Sequence, residues 1–264
     1  MKSKIIYLFF PIFLLYILII LVPIIRALTY SSIGEITADL SSGILPSIEY
    51  TYAICGVVAF LAVLFSLPYS YVISRHTGPA YKAADSLVEI PIMIPHSVVG
   101  IIMLITFEPT MPIGHLLAKY IPGYSFDGTL FAVIITLFFL SSAYSIREIG
   151  IAYQKDVMEY ENVAKTLGLG ETLSFVIISM RLLLRPMMKG FLLSWARSVS
   201  EVGAILIVAY YIFPSFVKLA GVFIYSQWLG YGLGPAAASS AILIITGIAV
   251  TGIFKMVESY HVRY

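Results

Sequence analysis

Ile5-Ile6-Tyr7-Leu8-Phe9-Phe10-Pro11-Ile12-Phe13-Leu14-Leu15-Tyr16-Ile17-Leu18-Ile19-Ile20-Leu21-Val22 carries no charged residue, and Lys2 and Lys4 precede it. A helix needs about 20 apolar residues to cross the hydrocarbon of a bilayer. This stretch is long for the core of a cleaved leader, and no small-x-small cleavage site follows it. It is read as a first membrane span kept in the mature chain. Five further stretches have the same character: Tyr50–Ile73, Ser86–Phe107, Thr129–Ile149, Pro186–Ile212 and Pro235–Val257, with the first extending over Ile5–Ile25. The expectation is an all-α integral membrane protein with six transmembrane helices, forming a single transmembrane domain over residues 1–264.

Composition supports this reading. Of the 264 residues, 60% are hydrophobic and 11% charged, whereas soluble domains are nearer a quarter charged. So little polar surface cannot cover a water-soluble particle, which makes lipid the solvent for most of the chain. The single cysteine, Cys55, excludes a disulfide framework within one chain. The four histidines are scattered, without metal-ligand spacing. No Gly-rich phosphate-binding loop ending in Gly-Lys-Ser/Thr is present, and no nucleophile–base set stands out. The expectation is therefore not an enzyme, with no cofactor or metal in this chain, no nucleic-acid partner, and an energy source on another subunit.

Basic residues orient the spans. A cytoplasmic N-terminus puts Lys2, Lys4, Arg75, Lys82, Arg147, Lys155, Lys165, Arg181, Arg185, Lys189, Lys255 and Arg263 inside, against Arg26, Lys119 and Lys218 outside. Both termini are then cytoplasmic, in a multi-pass protein of the plasma membrane. The polar interruption from Gly150 to Arg185 also lies inside. The outer segments Ser31–Ser47 and Glu108–Gly128 read as loops or interfacial turns. Pro214–Gly234 reads as a re-entrant or loop-rich outer segment.

Within the inner interruption, Glu161-Asn162-Val163-Ala164-Lys165-Thr166-Leu167-Gly168-Leu169-Gly170 has the pattern of a short amphipathic helix. Val163, Ala164 and Leu167 form one apolar stripe, Glu159 and Glu161 suit the first turn, and Gly168 suits a left-handed stop. A helix this short does not persist alone in water, so it must dock on something. Glu161-x-x-Ala164-x-x-x-Gly168 resembles the EAA loop of permeases from ATP-binding-cassette importers. Asn162 and Val163 depart from the commonest form of that loop, and Met180-Arg181 stands where the family has Leu-Pro. Glu89-Ile90-Pro91-Ile92-Met93-Ile94-Pro95-His96-Ser97-Val98-Val99-Gly100 is similar to the third-helix segment of oxyanion permeases. Trp195-Ala196-Arg197-Ser198-Val199-Ser200-Glu201-Val202-Gly203-Ala204-Ile205 is similar to the fifth helix of archaeal molybdate/tungstate permeases. The resemblance implies an importer permease of type I architecture. Residues 150–185 would carry a coupling helix with Glu161, Val163, Ala164, Leu167 and Gly168, seated in a cleft of a cytoplasmic ATPase. It further implies a homodimer, two ATPase subunits holding ATP and magnesium, and an extracytoplasmic oxyanion-binding protein. The implied cargo is molybdate or tungstate, with sulfate or another oxyanion as the alternative. A stand-alone secondary transporter would need ion-coupling carboxylates in the membrane, and Glu201 is the clear one.

Candidate pathway or gate residues are Pro95, His96, Arg197, Ser198, Ser200, Glu201 and Gly203. Arg197 and Glu201 lie four apart in an apolar helix and share a face. Measured from Pro186, Arg197 falls near mid-membrane, where an unpaired charge costs at least ~2.5–3.5 kcal/mol. Two readings stay open: a self-neutralising pair that locks packing, or an arginine that attracts an anion in the pathway. Pro91 and Pro95 each remove a backbone donor and favour a kink. His96 is read as a packing or pathway residue, since no second ligand lies at helical spacing.

Overall fold

A computed structural model describes residues 4–41 and 43–260. Lys2 and Arg263, counted in the charge bias above, lie outside the described residues. Among the described residues the regular elements are all helices, and Ile212 and Val217 form an isolated antiparallel bridge. In order the helices are α1 (Lys4–Thr29), α2 (Ile33–Ser41), α3 (Ile44–Arg75), α4 (Pro79–Leu87), α5 (Ile90–Met93), α6 (His96–Phe107) and α7 (Pro112–Tyr120). They continue with α8 (Leu130–Ala152), α9 (Met158–Thr166), α10 (Glu171–Ser174), α11 (Met180–Val199), α12 (Gly203–Val208), α13 (Ala220–Tyr231) and α14 (Leu233–Tyr260). Among the described residues, four helices are long and apolar enough to cross a membrane: α1, α3, α8 and α14. A fifth span forms if the bent pair Pro79–Met93 and His96–Phe107 counts as one.

Two of the sequence expectations need correction here. The stretch Ser86–Phe107 is not one helix. It breaks at Ile94-Pro95 with a bend of 115°, because Pro95 offers no N–H and drives Ile94 to an extended conformation, ψ 131°. The stretch Pro186–Ile212 is also broken. Helix α11 begins six residues earlier, at Met180, ends at Val199, and gives way at Ser200–Val202 to the short α12.

The segments expected as outer loops carry helices of their own: α2, α7 and α13. The start of α2 had a readable signal, Ser32-Ile33-Gly34-Glu35. Ser32 Oγ accepts the Glu35 N–H at 3.2 Å while Glu35 Oε2 accepts the Ser32 N–H at 2.7 Å. This reciprocal capping satisfies two donors that a helix start leaves orphaned. The Ser32 backbone bond, reinforced by its hydroxyl, holds the Glu35 carboxyl below its ordinary range.

Two compact units are present, Met1–Pro46 with Phe223–Val250, and Ser47–Val222 with Thr251–Tyr264. In the first, α1 buries none of its apolar window within the chain, so its cover must come from lipid or another protein. Asp39 of α2 is buried there and accepts a hydrogen bond from Ser239 of α14.

In the second unit, α8 and α11 run antiparallel through small residues. Ser194 Oγ donates to the Ser141 carbonyl at 2.9 Å. Small side chains let membrane helices approach closely where apolar surface alone supplies no driving force in lipid. A core of Val99, Met103, Phe126, Ala132, Leu140, Ala204 and Val208 joins α6, α8 and α12. Helices α6 and α12 nearly touch: a Cβ on Gly100 would lie 2.8 Å from the Ala204 carbonyl oxygen.

Candidate functional site

Helix α8 does not stop at Ala152. It passes through a wider π turn, Tyr153–Val157, directly into α9. The chain then reverses at Leu167–Gly170 and returns through α10, a second π turn (Phe175–Ser179) and α11. The polar interruption is thus the tip of one long helical hairpin. Gly168 has φ +94°. Its N–H reaches the Lys165 carbonyl at 3.0 Å, and the Leu169 N–H reaches that of Ala164 at 3.1 Å. This double closure needs a left-handed residue, which glycine adopts without steric cost.

Glu161 is a correction to the dipole reading. Because α9 continues α8, no free helix N-terminus faces its carboxylate. The side chain is instead fully buried, and four donors surround it. Oε1 receives Arg75 Nη2 from the end of α3, and Lys165 Nζ lies 2.9 Å away. Oε2 receives Tyr153 Oη at 2.6 Å and Ser179 Oγ at 2.8 Å. A carboxylate offers about four acceptor positions, so this one is saturated within its own chain. Burial pushes the Glu161 carboxyl up, but the bonds from Arg75, Tyr153, Lys165 and Ser179 prevail and hold it down at about 2. The Arg75 guanidinium also stacks on the Tyr71 ring, 3.5 Å from its centroid, and the Tyr71 hydroxyl donates to Glu171 Oε1 at 2.8 Å.

The expected apolar stripe divides. Ala164 turns inward with Glu161, whereas Val163 and Leu167 face out, at 52% and 78% exposure. The turn is therefore braced from within by a polar cluster and presents its apolar side chains outward. Arg75, Tyr153 and Ser179 were invisible as partners of Glu161 in the sequence. Arg75 and Glu161 are 86 residues apart, and no periodicity spans that distance.

The second candidate group gathers where α11, α12 and α6 meet. Arg197 Nη2 donates to Glu201 Oε2 at 3.0 Å and to His96 Nε2 at 2.6 Å. His96 Nδ1 lies 3.3 Å from Glu201 Oε2. Glu201 Oε1 accepts the Ala204 N–H at 2.9 Å. Pro95 sets the break before α6, and Gly203 permits the approach of His96, whose Cβ would lie 3.2 Å from a Cβ at that position. Ser200 Oγ bonds back to the Arg197 carbonyl at 2.9 Å. Ser198 does not join: it is buried, and its hydroxyl makes no hydrogen bond among the described residues.

No family model matches the chain. It is 32% identical over 212 residues to the molybdate/tungstate transport system permease protein WtpB of Thermococcus kodakarensis, covering 80% of this chain and 78% of that one. It is 28% identical over 239 residues to the protein of the same description from Methanocaldococcus jannaschii, covering 90% and 91%. A chain of the bacterial alginate ABC transporter, solved in complex with an alginate pentasaccharide-bound periplasmic protein, superposes with a TM-score of 0.71 over 97% of this chain and 94% of that one. At 15% identity that likeness concerns the fold. The identity and the extent of the sequence match make this chain a member of the molybdate/tungstate transport system permease family.

Proposed function

We propose that the chain is the membrane subunit of an ATP-driven importer that moves a tetrahedral oxyanion, molybdate or tungstate, by alternating access. The observation that carries this reading is the hairpin tip. Two span helices end in one turn, locked internally by Glu161 and showing Val163 and Leu167 to the outside. Such a tip is rigid and apolar-faced, which suits a coupling helix seated in a cleft of a cytoplasmic ATPase. Motion of that ATPase would then pass into α8 and α11 without being absorbed by a flexible loop.

In this reading the six spans are α1, α3, the α4–α6 pair, α8, α11 with α12, and α14, and both termini are cytoplasmic. Residues 1–264 act as one transmembrane domain. Two copies line the pathway, and two ATPases hold ATP and magnesium. An extracytoplasmic binding protein delivers the anion. The chain itself binds no nucleotide and catalyses no reaction; it supplies gate and lever. Val163, Leu167 and Gly168 belong to the coupling contact, with Glu161 as its internal brace and Ala164 packed inward beside it. Pro95, His96, Arg197, Ser200, Glu201 and Gly203 belong to the pathway wall, with Ser198 packed behind it.

The test is purification with the cognate ATPase and binding protein, followed by ATP-dependent uptake of molybdate, tungstate and sulfate into vesicles. Uptake of molybdate or tungstate that requires the ATPase supports the reading. Uptake with no ATPase present overturns it.

A further inference from the structure

Arg197 and Glu201 form an ion pair, but its two ends are not held alike. The Glu201 side chain is fully buried, and two donors besides Arg197 fix it: the Ala204 N–H on Oε1 at 2.9 Å and His96 Nδ1 on Oε2 at 3.3 Å. Arginine has only donors to offer, so His96 Nε2 must accept from it. The ring proton then sits on Nδ1, facing Glu201, and the ring is neutral. Arg197 is the looser partner. Its side chain is 14% exposed, and it stands on the last turn of α11, next to the non-helical Ser200–Val202. Its Nη1 lies 3.5 Å from Ser200 Oγ, too long for a strong hydrogen bond. His96, half exposed beside it, opens one side of the group to the surroundings. A lock between helices would hold both charges. Here the anion has two donors besides Arg197, while the cation stands partly exposed at a helix end.

We infer that Glu201 is a resident counter-anion for which the transported oxyanion substitutes, with Arg197 exchanging between the two. The inference rests on the permease reading above and gives it a residue that handles the cargo. When Arg197 turns to the anion, its hydrogen bond to Glu201 is replaced by one to an oxyanion oxygen. Glu201 keeps the Ala204 N–H and His96 Nδ1–H, so its charge is never left without donors. When the anion moves on, the carboxylate takes Arg197 back. Competition from Glu201 keeps the anion's affinity low, as a conduction site requires, because cargo that enters must also leave. His96 acts as a positioning residue: it holds Glu201 through Nδ1 and receives Arg197 at Nε2.

The test uses the complete importer with its ATPase, in vesicles supplied with the binding protein, and radiolabelled tungstate as probe. Glu201→Gln keeps the shape and the acceptor for Ala204 but removes the competing charge. Solubilised importer of this variant, without binding protein, should retain at least about tenfold more tungstate than wild type, the equivalent of one charge-assisted hydrogen bond. Its uptake should slow. The neutral double variant Arg197→Gln/Glu201→Gln should still co-purify with the ATPase, lose uptake by about tenfold or more and retain no tungstate. Uptake by the double variant within about twofold of wild type overturns the inference, because a mere packing pair tolerates joint neutralisation. Retention by Glu201→Gln no greater than wild type also overturns it. So does failure of either variant to assemble, because the charges are then required by the fold. If the wild-type importer itself takes up no tungstate, molybdate or other oxyanion with ATP, the permease reading fails, and that failure is distinct.

Discussion

Replacing Glu161 by Gln tests the brace beneath the hairpin tip. The carboxylate takes four donors, and Tyr153 and Ser179 are both fully buried, whereas the Arg75 and Lys165 side chains are 19% and 30% exposed. Glutamine offers one acceptor oxygen and brings an NH2 group into a shell of donors. Arg75 and Lys165 can turn to water, but Tyr153 and Ser179 cannot both be satisfied. A stranded buried donor costs about 1–3 kcal/mol, and breaking a buried ion pair about 3–5 kcal/mol. The lowered range of the carboxyl leads to a similar figure. A carboxyl held at about 2 against an ordinary 4.5 corresponds to ~3 kcal/mol in favour of the folded turn. Since the folded value lies below the unfolded one, that contribution is fully present above about pH 4.5 and is lost as pH falls through about 2. Amide hydrogen exchange in residues 158–175, measured on the purified protein in lipid discs, should accelerate about a hundredfold in Glu161→Gln, since ~1.4 kcal/mol is tenfold. Exchange in the α6–α12 region should stay unchanged. An Arg75→Met/Glu161→Gln cycle should show coupling of at least ~1 kcal/mol. Unchanged exchange at the tip, or additive effects in the cycle, would refute the brace.

Three further outcomes are expected. Single cysteines at Lys165 and Asp127 should react with an impermeant thiol reagent from opposite sides of the membrane; labelling from one side would sink the topology. Gly168→Val forces a β-branched residue into φ +94° at a cost of ~1–2 kcal/mol. The variant should insert normally yet co-purify less ATPase, and normal ATPase binding and uptake would remove Gly168 from the coupling contact. Gly100→Ala pushes a methyl to 2.8 Å from the Ala204 carbonyl and should lower the stability of the α6–α12 pair by ~1–3 kcal/mol, read as a fall in the thermal midpoint in detergent. An unaltered midpoint would mean that the two helices separate without cost.

What the sequence determined by itself was set by local quantities. Long uncharged runs established a multi-pass membrane protein, because lipid admits only backbones that satisfy their own hydrogen bonds. The run Glu161–Gly170 announced a helix ended by a left-handed glycine, and Gly168 has that conformation, because a turn's demand on φ is written in one residue. The spacing of Arg197 and Glu201 foretold their contact, 3.0 Å in the structure. The breaks at Ile94-Pro95 and Ser200–Val202 were less legible, since apolarity measures affinity for lipid and not straightness. The capping box of α2, Ser32 with Glu35, lies among loop-like residues that mask the start of the helix. Only the tertiary structure decided which neighbours the charges have. Arg75 reaches Glu161 across 86 residues, and His96 reaches Arg197 across 101. A buried charge must find its partners in space, and nothing in the spacing of a chain encodes which distant segment brings them.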